Sequence, residues 1–467
     1  MPFSKFLESN VSELRLLIRE LHKTFKYVSI LGTDVKSVSY RVNTKSQSIT
    51  DALSKEKGFV CKMTNGGAFY EYSFDRIEGD VKSFAKKILK RIEIEERLLN
   101  NQVESVIPAD EALWKSFERR NDFEQVSEEE LLTYMQKVVN DLKEASPNVI
   151  NSVCIFQKIE TSKLFLSVKK LLKQSYGWIN GYMVVIYANN NRVIQAREDM
   201  NGPLLKTIMR ELPNLQGKLL QKAEKLTKAK QIEPGVYDVI TDPSITGLIA
   251  HEAFGHGVEM DQFVKHRALA KEFVGDYVAS PITNMRDGAR STLSVASYFF
   301  DDDGVLASDT QIIKDGILIT GISDVVSASQ LGTVPTGNGR RQSFANKVYT
   351  RMTNTFFEKG SDKLEDMIKS IKHGYMLFET NNGMEDPKNW AIQCTAEYGI
   401  EIIDGKLTDN YVSPVVISGY VPDLLKSISM ISDDFNVSGA GACGKGHKEW
   451  VRVSDGGPAL KARAKLS

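Results

Sequence analysis

The chain has 467 residues, with Lys plus Arg and Asp plus Glu at 60 each, so its formal net charge at pH 7 is zero. This length predicts two sizeable cores rather than one ordinary domain. The balanced charge gives no support for binding to nucleic acid or to an anionic membrane. The four cysteines are widely spaced, the N-terminus lacks the pattern of a signal peptide, and no segment has the apolar length that crosses a bilayer. We therefore expect a soluble, cytoplasmic protein.

The first half of the chain, residues 1–233, is predicted to be an α+β domain. Apolar periodicity and turn signals place its elements in chain order. Helices are expected at 11–25, at about 78–100 and at 127–145, the last opening with a capping-box pattern. Strands are expected at 27–31, 38–42, 58–63, 68–72, 149–157, 163–168 and 182–188, with a hairpin turn at Asn65-Gly66.

A helix-rich stretch at 203–230 carries many lysines, including Lys218, Lys222 and Lys225. Such a charge run is typical of a solvated helix face, which is a simpler explanation than nucleic-acid binding. A Pro-Gly pair at 234–235 then breaks the helical pattern, so we place the domain boundary between residues 233 and 234.

The second half, residues 234–467, is predicted to be a mostly β domain that carries a metal-binding helix. A helix near 361–373 interrupts its strands, and Asp-Gly pairs mark turns between them. The acidic run 301–303 fits a hairpin turn better than a site for a hard cation. Strands are expected at 292–300, 310–313, 317–322, 392–398, 400–403 and 412–418.

The most informative segment is the run 249–257, where His251, Glu252 and His256 crowd together in a chain with only six histidines. Imidazoles are good zinc ligands, and a carboxylate beside one of them can accept a proton from an attacking water. The alternative is a pair of ordinary polar residues on a half-buried helix. Residues five apart lie roughly 140° apart on an ideal α-helix. A π-type turn brings them within about 50°, so we predict a π-bulge or a helix end near Gly255.

Two histidines leave the set of ligands incomplete, so a third must come from elsewhere. Cys443 is the first choice, because it lies in a Gly-rich loop at 439–447 where a thiolate can approach a metal closely. His447, four residues later, is expected to be a solvated side chain and is left out of the metal shell.

With these motifs, the sequence resembles the TldD-type subunit of the TldD/PmbA (TldE) family of zinc metallopeptidases. The resemblance runs from about residue 235 to the C-terminus. The matching blocks are 251–259 (His-Glu-Ala-Phe-Gly-His-Gly-Val-Glu), 303–305, 335–343, 351–355 and 443–445. It implies that His251, His256 and Cys443 hold Zn²⁺ and that Glu252 is catalytic. It also implies a dimer, formed with a second copy or with a PmbA/TldE-type subunit.

A second Gly-rich loop contains Asn338, Arg340 and Arg341, whose donors suit a substrate terminus or an oxyanion. Structural use in subunit packing is an equal alternative. The role of the block 351–355, in contacting substrate or in bracing the site, is left open.

The predicted function is hydrolysis of unfolded or short peptides, with Glu252 as the general base. A β-rich cleft would bind an extended peptide as an added strand. The main alternative is a metal-stabilised binding or assembly protein, acting in peptide maturation or toxin regulation without hydrolysing anything itself. A closed shell with a fourth ligand such as His447 would favour that alternative. A non-peptidase hydrolase using the same chemistry is a further alternative.

Overall fold

The computed structural model describes residues 1–51, 55–98, 107–189, 191–447 and 449–467. Its helices are α1 (Lys5–Leu21), α2 (Val81–Leu98), α3 (Glu128–Glu144), α4 (Leu205–Glu211), α5 (Gln216–Lys228), α6 (Pro243–Leu248), α7 (Met260–Val264), α8 (Val325–Leu331), α9 (Leu364–Lys369) and α10 (Val421–Lys426). A π-helix, Ile249–Gly255, follows α6 directly. None of the described helices is long and apolar enough to cross a membrane.

The strands of the first half are β1 (Tyr27–Asn43), β2 (Gln47–Asp51), β3 (Glu56–Thr64), β4 (Tyr70–Phe74), β5 (Leu113–Glu118), β6 (Val149–Ser167), β7 (Lys170–Asn189) and β8 (Arg192–Gly202). They form one sheet in the order β4-β3-β1-β6-β7-β5, with β2 on β1 and β8 on β7. Ile30 and Tyr40 of β1 lie on the same face, since side chains alternate along a strand. The first packs with α1 and α2, and the second packs with α3, α4 and α5. The helices thus cover two ends of one face.

Predicted strands of the first half fuse into longer ones. Segments 27–31 and 38–42 are both part of β1, and 149–157 and 163–168 are both part of β6. The pairing of β1 with β6 runs without interruption from Ser29 to Asn43. Backbone hydrogen bonds therefore keep both strands extended through the polar residues at their centres. The predicted α3 and the β3–β4 hairpin are confirmed. Residues 99 and 100 of the predicted second helix lie outside the described residues.

The solvated lysine face predicted for 203–230 is wrong at Lys222. Its side chain is 2% exposed, and its Nζ lies 2.9 Å from Glu198 and 2.5 Å from Glu379. Glu379 comes from the second half of the chain, so no pattern within residues 203–230 predicts that Lys222 is buried. Lys218, by contrast, is 60% exposed and pairs with Glu198 at 3.0 Å.

The strands of the second half are β9 (Gly235–Thr241), β10 (Met285–Asp287), β11 (Thr310–Lys314), β12 (Ile317–Leu318), β13 (Gly339–Arg340), β14 (Tyr349–Thr350), β15 (Asn354–Phe357), β16 (His373–Asp386), β17 (Ala391–Ile403), β18 (Lys406–Val412), β19 (Val415–Tyr420), β20 (Met430–Ile431), β21 (Asn436–Lys445), β22 (Glu449–Gly457) and β23 (Leu460–Leu466). One sheet has the order β12-β11-β10-β15-β22-β21. Another runs β16-β9-β23-β19-β17 and closes on itself, because β16 also pairs with β17. The predicted α+β class with a mostly β second half is confirmed.

The strand predicted at 292–300 is wrong. Ser297 donates its hydroxyl to the carbonyl oxygen of Thr292 at 2.7 Å and accepts from the backbone N–H of Ser294 at 2.9 Å. Hydroxyl groups that bond nearby backbone in this way favour turns over strands. The predicted strand 412–418 is broken at Pro414, which has no N–H to donate, so β18 ends at Val412 and β19 begins at Val415.

The helical segment of α6 and the π-helix lies between the two sheets of the second half. A Cβ atom added to Gly247 would lie 2.4 Å from the backbone nitrogen of Gly456 on β22. On the other side, the π-helix packs against β16 and β17. Phe254 is fully buried there, with its ring centroid 6.0 Å from that of Trp390. The segment is therefore fixed in position by backbone contact and by an aromatic core.

Candidate metal centre

The π-helix is the feature that brings His251 and His256 together. It spans Ile249–Gly255, and the backbone N–H of His256 bonds to the carbonyl oxygen of His251, five residues earlier. The two imidazole centroids lie 5.0 Å apart with their planes almost perpendicular. The π-turn predicted from the five-residue spacing is confirmed. The wider turn of the π-helix places the two rings on the same side, whereas an α-helix would hold them apart.

Cys443, on β21, completes a compact group with the two histidines. Its Sγ lies 3.6 Å from Nε2 of His256. One side-chain donor atom from each of His251, His256 and Cys443 lies within 4.8 Å of the others. Both His251 and Cys443 are buried, with 4% and 3% exposure. The structure thus brings together the three residues that the sequence predicts as ligands.

The group is electrostatically suited to a thiolate. Burial alone would raise the pKa of Cys443, but the His256 and His251 imidazoles outweigh burial and hold that pKa well below its ordinary value. Burial alone would lower the pKa of His256, but the Cys443 thiolate and the Glu259 carboxylate hold it well above. The same thiolate raises the pKa of His251 against the effect of burial. A cation placed among these atoms would replace protons as the partner of the sulfur.

Glu259 contacts His256 directly, and Lys445 contacts Glu259. The sequence pattern assigned a role to neither residue. Oε2 of Glu259 lies 3.2 Å from Nδ1 of His256. Lys445 donates to Glu259 at 2.9 Å, to Asp261 at 2.7 Å and to the carbonyl oxygen of Thr350 at 2.9 Å. A carboxylate that accepts from a histidine in this way fixes the ring and its tautomer. The available signal was the spacing of three between His256 and Glu259, which puts both on one helical face.

The backbone of the cysteine strand has its own support. Arg351 is fully buried, and it donates from Nη2 to the carbonyl oxygen of Cys443 at 2.5 Å and from Nη1 to that of Glu449 at 3.2 Å. Thr353 and Thr355 instead donate to the buried carboxylate of Asp287. Arg351 therefore braces the backbone at Cys443, whereas Thr353 and Thr355 hold the side chain of Asp287.

Glu252 and His251 both line a cleft of about 470 Å³. The segment 379–383 of β16 forms one wall, and Asn436, Ser438, Gly441 and Ala442 of β21 form another. The first half of the chain contributes Arg197, Glu198, Asp199 and Lys218. Asp455 completes the rim, with Oδ2 3.9 Å from Nδ1 of His251, and that nitrogen has no hydrogen-bond partner among the described residues.

Asn338, Arg340 and Arg341 lie elsewhere, and each of them donates hydrogen bonds to other residues of the fold. Asn338 donates to Asp287 at 2.7 Å. Arg340 donates to the carbonyl oxygens of Met352 and Arg452 at 2.6 Å each. Arg341 is 6% exposed and pairs with Glu71 at 3.0 Å. None of the three lines the cleft beside Glu252. Substrate contact by these residues stays a prediction.

The acidic run 301–303 forms a turn, as expected, but its side chains are buried. Asp303 accepts from Lys62 of β3 at 2.7 Å, and Asp302 pairs with Lys163 of β6. These two pairs tie the second half to the sheet of the first half. His447 is exposed and is not part of the His251, His256 and Cys443 group.

Two histidines and a cysteine close together, beside a cleft that His251 and Glu252 line, define a candidate metal-binding protein. Residues 234–464 match the family described as the PmbA/TldA metallopeptidase C-terminal domain. Residues 234–464, almost half of the chain, are therefore a domain of this PmbA/TldD family.

Curated relatives are similar to this chain in sequence, and a solved structure is similar to it in fold. A metalloprotease of Methanocaldococcus jannaschii is 31% identical over 286 residues, which cover 61% of this chain and 62% of the relative. A zinc metalloprotease TldD homolog of Saccharolobus solfataricus is 27% identical over 72% of this chain and 75% of its own. Two further metalloproteases are matched over 52% of their length. The crystal structure of TldE from Thermococcus kodakarensis has the same fold, with a TM-score of 0.78 at 18% identity over 97% of this chain and 100% of its own.

Proposed function

We propose that this protein is a zinc metallopeptidase of the TldD type that hydrolyses unfolded or short peptides. The observation that carries the proposal is the compact His251, His256 and Cys443 group, which meets a cleft also lined by Glu252. The names of its relatives support the protease class. The residue roles and the substrate rest on the geometry alone.

The donor set fits zinc. Two imidazole nitrogens and a thiolate are ligands that a borderline-soft ion prefers, and no fourth His, Cys, Asp or Glu joins the group among the described residues. Three protein ligands are typical of catalytic zinc sites, whereas structural sites have four. The buried Nδ1 of His251 also lacks a hydrogen-bond partner within the described chain. When bound, Zn²⁺ supplies Lewis-acid polarisation of the scissile carbonyl and makes water more acidic.

Glu252 is the general base of the proposed reaction. It follows the first histidine directly and lines the same cleft, so its carboxylate can accept a proton from the water that attacks the peptide carbonyl. It then passes the proton to the amine nitrogen as the peptide C–N bond breaks. His256, held by Glu259, keeps its orientation throughout.

The substrate class follows from the walls of the cleft. β21 is the last strand of its sheet, and among the described strands it pairs only with β22. Its residues Asn436, Ser438, Gly441 and Ala442 line the cleft that also contains His251 and Glu252. An extended peptide can add to such a free edge through backbone hydrogen bonds, which depend little on the sequence of the peptide. Most strands of a folded protein are already paired within their own sheets, so an unfolded or short peptide suits this edge better.

A dimer, with itself or with a PmbA/TldE-type subunit, and a cytoplasmic location complete the proposal. The dimer follows from the resemblance of the chain from about residue 235 onward to the TldD-type subunit. The location is supported by the cysteines, because Cys61, Cys154, Cys394 and Cys443 are all free thiols.

Digestion of an unstructured peptide by the purified full chain tests the proposal. We expect cleavage by the zinc-loaded protein and its loss with a chelator. Glu252→Gln should keep wild-type zinc content and lose cleavage, whereas Cys443→Ala should lose zinc. Glu224→Gln is the matched control, since Glu224 is an exposed residue of α5 paired only with Lys228. Cleavage at the wild-type rate by Glu252→Gln would refute the general-base role. Zinc-loaded protein that cleaves no peptide would favour the binding or assembly alternative.

A further inference from the structure

The side chain of Glu252 lies directly against Gly383 of β16. A Cβ atom added to Gly383 would lie 2.4 Å from Cγ and 3.0 Å from Cδ of Glu252, and 2.9 Å from Cδ1 of Leu248. Real Cβ atoms essentially never come within 3.0 Å of a neighbouring heavy atom. Any residue larger than glycine at position 383 would therefore displace Glu252 or the strand.

The backbone at this position does not itself require glycine. Gly383 is not among the residues with a positive φ. It pairs in regular antiparallel register with Cys394 of β17, just after an irregularity in register between Thr380 and Asn382. The absent side chain thus makes space for Glu252 rather than allowing an unusual turn. Gly383 and Glu252 also line the same cleft.

We propose that Gly383 is a positioning residue for the reaction, setting where the Glu252 carboxylate stands relative to the metal group. This inference rests on the proposed function. A Cβ at residue 383 would push Glu252 aside by a distance comparable with the overlap, which is on the order of 1 Å. A misplacement of that size typically costs about 100-fold in rate.

Gly383→Ala is the direct test. We expect kcat to fall about 10- to 100-fold, with unchanged zinc content and a KM close to that of the wild type. Gly217→Ala is the control, because a Cβ at Gly217 in α5 has no atom within 4 Å. A kcat within about twofold of the wild type, or a change confined to KM, would overturn the inference.

A cycle of thermal midpoints tests the contact independently of activity. Glu252→Ala removes the Cγ atom that the new methyl group would strike. Any fall in midpoint caused by Gly383→Ala in the wild-type background should therefore be smaller in the Glu252→Ala background, where the contact with Leu248 remains. An equal fall in both backgrounds would overturn the inference. Failure of the proposed function is distinguishable, since it appears as full activity in Glu252→Gln or as no activity in the wild type.

Discussion

Removing the charge of Lys445 should destabilise the metal-free protein strongly. Its side chain is 9% exposed, and its ammonium group lies between the side chains of Glu259, 1% exposed, and Asp261, 12% exposed. Lys445→Met keeps the length of the side chain and its apolar stem but deletes the charge. Two carboxylates are then left in the protein interior without their main cation.

The size of the effect follows from burial. Breaking a buried ion pair from one side costs about 3–5 kcal/mol, since the remaining charge stays desolvated. His256 remains 3.2 Å from Glu259 and Lys265 remains 3.3 Å from Asp261. These contacts compensate in part, so we expect a loss near the lower end, about 3 kcal/mol of the free energy of unfolding.

Urea unfolding of chelator-treated protein, followed by circular dichroism, measures the loss. Lys265→Met is the matched control, because Lys265 pairs with the same Asp261 but is 44% exposed. Exposed pairs of this kind contribute about 0–1 kcal/mol. If Lys445→Met lowered stability no more than Lys265→Met does, the reasoning that burial gives this contact its weight would be refuted.

Three further predictions concern the metal group and pH. Glu259→Gln should weaken zinc binding about 10- to 100-fold in competition with a chromophoric chelator, because His256 loses its charged partner. Cobalt-loaded protein should show a sulfur-to-metal charge-transfer band that Cys443→Ala lacks and Cys154→Ala, at a buried thiol of the first half, retains. Burial raises the pKa of Glu56 from 4.5 to about 7, so the native protein holds a proton that the unfolded chain releases. Wild-type stability should then fall relative to Glu56→Gln as pH rises from 4.5 to 7, by at most about 3 kcal/mol. A constant difference over that range would contradict the last prediction.

Apart from Cys443, the features of the fold and the site that the sequence predicts are those with a local cause. The spacing of His251 and His256 requires a wider turn than an α-helix gives, and the structure has a π-helix there. Ser127 accepts from the backbone N–H of Glu130, as the capping pattern indicates, so α3 begins where expected. Both features depend on residues no more than five apart. In both places the sequence pattern therefore predicts the local backbone geometry correctly.

Features with distant causes were missed. Lys222 is buried because Glu198 and Glu379 approach it from two other strands. Gly383 looks like an ordinary strand glycine until Glu252 is seen to lie on it. The donors of Arg340 suggest an anion site, yet they meet backbone carbonyls of Met352 and Arg452. In each case the partner lies over a hundred residues away or on another element, and no spacing within the segment reveals it.

The register of β21 shows how a distant ligand is nevertheless fixed in place. Cys443 and Lys445 are two apart on a strand and so point to the same face. His256 and Glu259 are three apart on a helical segment and also share a face. The structure matches these pairs: Cys443 meets His256 at 3.6 Å, and Lys445 meets Glu259 at 2.9 Å. A slip of β21 by one residue would turn both side chains away together, separating the sulfur from His256 and leaving Glu259 without its lysine partner. The ion pair between Lys445 and Glu259 thus stabilises the register of β21 that places the Cys443 sulfur beside His256, relative to registers shifted by one residue.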